Sequence, residues 1–156
     1  MKKYIVLFVS LMVLAACKSK SPVETRLERS TQFALKGNWT LTKVSFPGSD
    51  YIKINAFDLA DSKCFVGSQW KFISNNNKGE FSLNNASCTG YSSPITWYIN
   101  PEGQFVMKIL DENKSKKVKE GYVLKVANVS EATFELVDSV SIGGKVVEVV
   151  YHFTRN

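Results

Sequence analysis

The sequence predicts an all-β chain, an eight-stranded antiparallel up-and-down β-barrel with a short N-terminal helix before it. Three observations point there. From Gly37 onward, short alternating runs sit between turn residues, at a spacing that suits a closed antiparallel sheet. The last two runs, Ala132–Ser141 and Lys145–Thr154, are joined by Gly143-Gly144, a strong signal for a two-residue hairpin. No internal repeat or low-complexity linker interrupts the pattern, so a single folded domain is the simplest count.

The N-terminus comes first. Lys2-Lys3 is a basic head, Tyr4–Val13 an apolar run broken by Ser10, and Leu14-Ala15-Ala16-Cys17 a small-residue stretch before a cysteine. The run falls short of the ~20 apolar residues that a permanent membrane helix needs, and reads as a secretory signal. Leu-Ala-Ala-Cys resembles the bacterial lipobox, which implies cleavage before Cys17 and acylation of that residue. The expected organisation is a signal peptide over 1–16, a lipidated tether and short helix over 17–34, and the barrel over 35–156. In the helix, Ser21 is the N-cap, Pro22 the first helical position and Glu24 the capping-box acid; it is expected to run through about Thr31.

Asn38–Phe46 is the first strand. Trp39 and Leu41 stand on one parity and Val44 and Phe46 on the other, so a bulge is expected between them. A long connection over Pro47–Gly67 follows, with a single helical turn expected at Ala56–Asp61. Ser68–Ser74 and Gly79–Asn84 form a hairpin, and Ser93–Ile99 and Gln104–Leu110 meet across Asn100-Pro101-Glu102-Gly103. A lysine-rich loop, Asp111–Lys119, leads to Glu120–Ala127 and then the last hairpin. If Ile142 faces Lys145, Phe134 pairs with Phe153, Leu136 with Tyr151 and Val140 with Val147 on the inward face. Glu135 then faces His152 on the outside. By the same alternation Trp70, Phe72, Phe81, Leu83, Trp97, Ile99, Phe105, Met107, Tyr122 and Leu124 point inward.

Composition and charge narrow the function. The chain is 44% hydrophobic, which is globular, and its formal charge of +6 falls by two once Lys2 and Lys3 are removed. The remaining cations are scattered, which gives no nucleic-acid footprint. Of the three cysteines, Cys17 takes the lipid and leaves Cys64 and Cys88, expected to pair in an oxidising compartment. Two free thiols or a redox-active pair are the alternatives, though there is no C-x-x-C spacing to favour them. One histidine cannot assemble a zinc or catalytic set, and no triad, phosphate loop or paired-carboxylate site is visible. The chain therefore reads as non-catalytic, with no cofactor, no metal and no nucleic-acid partner.

Eight meandering strands opening on Gly37-Asn38-Trp39 resemble the lipocalin superfamily with its G-x-W signature. The blocks Leu35–Leu41, Cys64–Trp70 and Gly121–Leu124, in that order behind a lipobox, resemble lipocalin-like lipoproteins of Bacteroidetes-type bacteria. The resemblance implies that Cys64 and Cys88 staple the first and third mouth loops, and that Pro47–Gly67 is the lid. It also implies that Arg155 packs over Trp39 at the closed end, a cation–π contact worth about 0.5–2 kcal/mol. The chain departs from the family in ending at Asn156 without a C-terminal helix, and Asn128-Val129-Ser130-Glu131 does not match the classical motif between strands six and seven.

A barrel of this size is either filled by side chains or holds one small ligand. For a small hydrophobic or amphipathic ligand at the mouth, the candidate residues are Trp70, Trp97, Tyr122, Asp138 and Tyr151; the last three are the polar groups on inward parity. In the competing reading both tyrosines find backbone partners and Asp138 sits near water. The alternative function is an envelope protein–protein or glycan interaction module with a filled barrel, for which Lys114, Lys116, Lys117 and Lys119 form the charged surface. Lys18-Ser19-Lys20 lacks an acidic cluster that resembles the surface-export signal of these bacteria, so an anchor on the periplasmic face of the outer membrane is expected, and a monomer is expected as well.

Overall fold

A computed structural model of the chain describes residues 22–48, 53–110 and 121–156. The signal peptide, Cys17, the Lys18-Ser19-Lys20 tether, Ser21 and the loop carrying Lys114, Lys116, Lys117 and Lys119 lie outside the described residues.

Helix α1 spans Pro22–Leu35, one turn beyond the expected end near Thr31. The extension is set by packing. Leu35 is fully buried, and Gln32 donates to Ser74 O at 3.2 Å and to Asn77 Oδ1 at 2.7 Å. These are tertiary contacts to a turn 42 and 45 residues away, which no capping signal announces.

The barrel strands are β1 (Gly37–Ser45), β4 (Gln69–Ile73), β5 (Lys78–Leu83), β6 (Tyr91–Ile99), β7 (Gln104–Ile109), β8 (Tyr122–Ala127), β9 (Thr133–Ile142) and β10 (Lys145–Arg155). Each pairs with its neighbours in sequence, and β1 pairs with both β4 and β10, which closes the eight-stranded sheet. Two further strands, β2 (Asn55–Ala56) and β3 (Ala60–Asp61), make a separate small hairpin in the first connection.

The β9–β10 register is the expected one: Ile142 faces Lys145, Phe134 faces Phe153, Leu136 faces Tyr151 and Val140 faces Val147. It follows from a turn in which Gly143 and Gly144 have φ of 57° and 81°, a pair of left-handed positions that glycine adopts without steric cost. The bulge in β1 is also present. The register against β10 shifts between Leu41 and Lys43, so that Leu41 faces Phe153 while Val44 faces Tyr151, all on the inner side.

The interior is two aromatic layers. Trp39, Phe72, Trp97, Phe105, Phe134 and Phe153 fill the half nearer α1, with Phe134 stacked on Phe153 at 4.5 Å and edge-on to Trp39 at 4.6 Å. The half nearer the long first connection holds Trp70, Phe81, Tyr122 and Tyr151 from the wall, and Phe57 and Phe65 from the connection itself. Offset and edge-to-face contacts of this kind add about 0.5–1.5 kcal/mol each beyond the buried area. Among the described residues, no helix is long and apolar enough to cross a membrane.

Candidate ligand site under the lid

The closed end is built on the signature residues. Gly37 has φ of 131°, and a side chain there would start 2.5 Å from the Arg155 guanidinium. Arg155 sits 4.1 Å above the centre of the Trp39 ring. Each of its three nitrogens donates, to Glu131 O at 2.6 Å, Lys36 O at 2.9 Å and Ala34 O at 2.9 Å, while Trp39 Nε1 donates to Leu35 O at 2.9 Å. Arginine serves because a flat guanidinium covers a ring and reaches several carbonyls at once. The result ties α1, β1 and β10 together and seals this pole.

The opposite pole carries the lid. Between β1 and β4 the described part of the chain forms β2, β3 and a 3-10 helix over Ser62–Phe65. The helical turn lies there rather than at Ala56–Asp61, because Asp61 caps it by accepting from Lys63 N at 2.9 Å. The span expected to be helical is instead a tight turn: Leu59 N donates to Ala56 O at 3.0 Å, and Phe57 and Asp58 have φ of 52° and 51°.

Cys64 and Cys88 are disulfide-bonded, with Cα atoms 5.8 Å apart across 24 residues of chain. The bond joins the first connection to the loop between β5 and β6, so both mouth loops are stapled. On the lid's outer flank lies a hollow of about 400 Å3 lined by Leu59, Ala60, Leu83 and Tyr91 as well as by the two cysteines.

Beneath the turn, Phe57 enters the barrel. Its ring lies 5.2 Å from Phe65, 5.2 Å from Tyr122, 6.4 Å from Trp70 and 5.3 Å from Tyr151, on which it stacks. The Tyr122 hydroxyl donates to Phe57 O at 2.7 Å and stands 3.2 Å from the Asp58 carboxylate. Tyr122 therefore latches the turn from β8.

The candidate residues divide. Tyr122, Trp70 and Tyr151 meet around Phe57. The Trp70 indole donates to Ser68 Oγ at 2.7 Å, which leaves its ring as an apolar wall. Among the described residues the buried Tyr151 hydroxyl has no hydrogen-bond partner, and burial together with the charge of Asp138 pushes its pKa upward. Asp138 is inward on β9; burial holds its carboxyl above the usual carboxylate range, and a backbone bond at Ser139 opposes this in part.

Trp97 does not join them. Its Nε1 donates to Lys78 O at 2.9 Å and its ring stacks on Phe105 at 5.6 Å, so it belongs to the layer by the closed end. The residues that strand alternation does not find are Phe57 and Phe65, because they stand in a connection. The available signal was a loop rich in apolar residues (Ile54, Ala56, Phe57, Leu59 and Phe65), too many for a solvated segment.

Outside the barrel, His152 Nδ1 is 3.0 Å from Glu135 and its Nε2 is 2.8 Å from Ser45 Oγ. On the outer face of β1 and β4, Thr40, Gln69 and Asn156 bond one another and Lys71 pairs with Glu80 at 3.6 Å, so the broad hollow there presents satisfied groups. Among the described residues, no group of three or more His, Cys, Asp or Glu side chains is placed to hold a metal ion.

No family model matches the chain, and no curated protein matches it in sequence. Among solved structures it is similar to a lipocalin-like protein from Bacteroides uniformis, at 13% identity and a TM-score of 0.49 over 79% of this chain and 99% of that one. It is also similar to bovine odorant binding protein in complex with a selenium-containing odorant, at 14% identity and a TM-score of 0.46 over 80% of this chain and 72% of that one. The strand order gives the chain a closed, eight-stranded up-and-down barrel of lipocalin-like fold, with Arg155 stacked over Trp39 at its closed end.

Proposed function

We propose that the protein is a non-catalytic binder of a small hydrophobic or amphipathic molecule, taken at the barrel mouth beneath the lid. One observation carries this reading: the buried hydroxyl of Tyr151 has no partner among the described residues, in an aromatic cup whose cover is a loop rather than a strand. A buried polar group left unpaired costs about 1–3 kcal/mol, and a ligand that pairs it recovers that. Asp138, inward on β9, is the other polar group that orients a guest. The protein acts as an outer-membrane lipoprotein, cleaved before Cys17, acylated there and facing the periplasm; support for this comes from the Leu14-Ala15-Ala16-Cys17 stretch.

Native mass spectrometry of the protein purified from its bacterial host, with displacement of a fluorescent apolar dye, tests the binding. A bound small molecule lost on denaturation is expected. Absence of both a bound molecule and dye uptake overturns the reading. Acylation predicts that Cys17→Ala moves the chain from the membrane to the soluble fraction; unchanged fractionation removes the anchor.

The solid packing of the closed half favours a second reading, an envelope interaction module with no small ligand. It requires a co-purifying partner whose capture weakens when Lys114, Lys116, Lys117 and Lys119 are neutralised. Undiminished capture sinks it.

A further inference from the structure

Phe57 stands where a turn residue is expected to be small. Its turn closes with a hydrogen bond from Leu59 to Ala56 around two left-handed residues, the geometry that selects Asn and Gly. A bulky aromatic with φ of 52° is out of place on local grounds. What that backbone achieves is direction: it aims the ring down into the barrel, where four aromatic side chains surround it. Strained backbone held in place by its surroundings is a recurrent mark of functional sites.

The fit is incomplete in one respect. Phe57 supplies a ring to the cup but no polar side-chain atom, and the hydroxyl of Tyr151, on which it stacks, is unpaired among the described residues. The Asp138 carboxyl, inward on the neighbouring strand, is a charge that acts on it. The site is therefore complementary to an aromatic ring that also carries a hydrogen-bonding group, and the resident ring lacks that group.

We infer that Phe57 is a built-in stand-in for the ligand: the barrel takes a planar aromatic molecule bearing a hydroxyl or amine, which displaces the Phe57 ring and pairs with Tyr151. The inference rests on the barrel-mouth reading above and specifies its ligand class. The hardware for displacement is divided along the lid. The disulfide holds the Ser62–Phe65 end, whereas the Phe57-Asp58 tip is held by the Tyr122 hydroxyl. Loss of that hydrogen bond loosens the tip while the staple keeps the lid at the mouth. Tip closure also taxes affinity, since only the fraction with the ring withdrawn can bind.

The test is calorimetric titration of the full chain with p-cresol and with toluene, two single-ring probes that differ by one hydroxyl. The wild-type chain is expected to prefer p-cresol by roughly tenfold, the worth of one buried hydrogen bond, and Tyr151→Phe to abolish the preference. Phe57→Ala is expected to tighten binding of both probes by tenfold or more while keeping it. Tyr122→Phe, which removes the latch and leaves every ring of the cup in place, is expected to tighten both by a few-fold; it decides the matter if Phe57→Ala does not fold. The inference is overturned if neither lid variant binds more tightly than wild type, or if wild type treats the two probes alike. A natural ligand that co-purifies equally with wild type and Tyr122→Phe refutes the stand-in and spares the barrel-mouth reading. No uptake of any molecule by any variant refutes both.

Discussion

The closed half of the barrel and the mouth half use the same side chains differently. Near α1, aromatics interlock and both indole N–H groups are paired, Trp39 to Leu35 O and Trp97 to Lys78 O. Arg155 is fully engaged there, with one ring and three carbonyls. Near the lid, an aromatic sits on a left-handed backbone, a tyrosine hydroxyl is orphaned and a carboxyl is desolvated. The second set of features lowers stability and has no purpose in a merely structural core. The contrast teaches that the closed half is built to hold the fold, whereas the mouth half carries the features on which the proposed binding rests, and these are expected to lower its local stability.

The sharpest way to break that contrast is to delete one ring from each half. Phe134→Ala is expected to cost about 3–5 kcal/mol of global stability in chemical denaturation, the range for a buried phenylalanine. Phe57→Ala is expected to cost clearly less, and to appear as faster amide exchange confined to the lid. Equal global losses would make the two halves one core.

Next in size is the staple. Replacing both Cys64 and Cys88 with serine is expected to cost about 3 kcal/mol by loop entropy, with the largest rise in exchange at the two mouth loops. A rise centred on α1 or the Arg155 seal would contradict the division.

Smaller still is a pair of tyrosine substitutions with opposite signs. Tyr122→Phe deletes a made hydrogen bond and is expected to destabilise by about 1 kcal/mol, whereas Tyr151→Phe deletes an unpaired hydroxyl and is expected to be neutral or stabilising by a similar amount. Thermal denaturation of both variants decides it; a marked loss for Tyr151→Phe would mean that its hydroxyl has a partner.

The smallest effect is electrostatic. The Asp138 carboxyl is held above its ordinary value of 3.8, so the folded chain keeps that proton longer than the unfolded one. Ionisation therefore weakens the fold as pH rises from the unfolded value through the folded one, and the penalty persists above that window. Asp138→Asn is expected to match wild type in acid, where both are neutral, and to exceed it at neutral pH. A pH-independent difference would place the carboxyl in water.

Much of this was legible beforehand, for identifiable reasons. The β9–β10 register followed from Gly143-Gly144 and strict alternation, both local. The bulge in β1 followed from Trp39 and Val44 lying on incompatible parities. The α1 boundary was not legible, because Leu35 and Gln32 are held by the barrel rather than by neighbours in the helix. The lid turn is not legible as a turn because Phe57 carries no left-handed signature; what holds it is Tyr122, 65 residues away.

By itself, then, the sequence determined which residues face inward, how adjacent strands align and where the chain turns. All of these depend on alternation and turn chemistry over a few residues. Only the tertiary structure decided which inward residues share a layer, that Trp97 falls in the sealed half, and that the lid fills the mouth with a ring of its own. Those outcomes depend on closing the sheet, which sets residues far apart in sequence against one another and leaves the buried Tyr151 hydroxyl without a partner among the described residues.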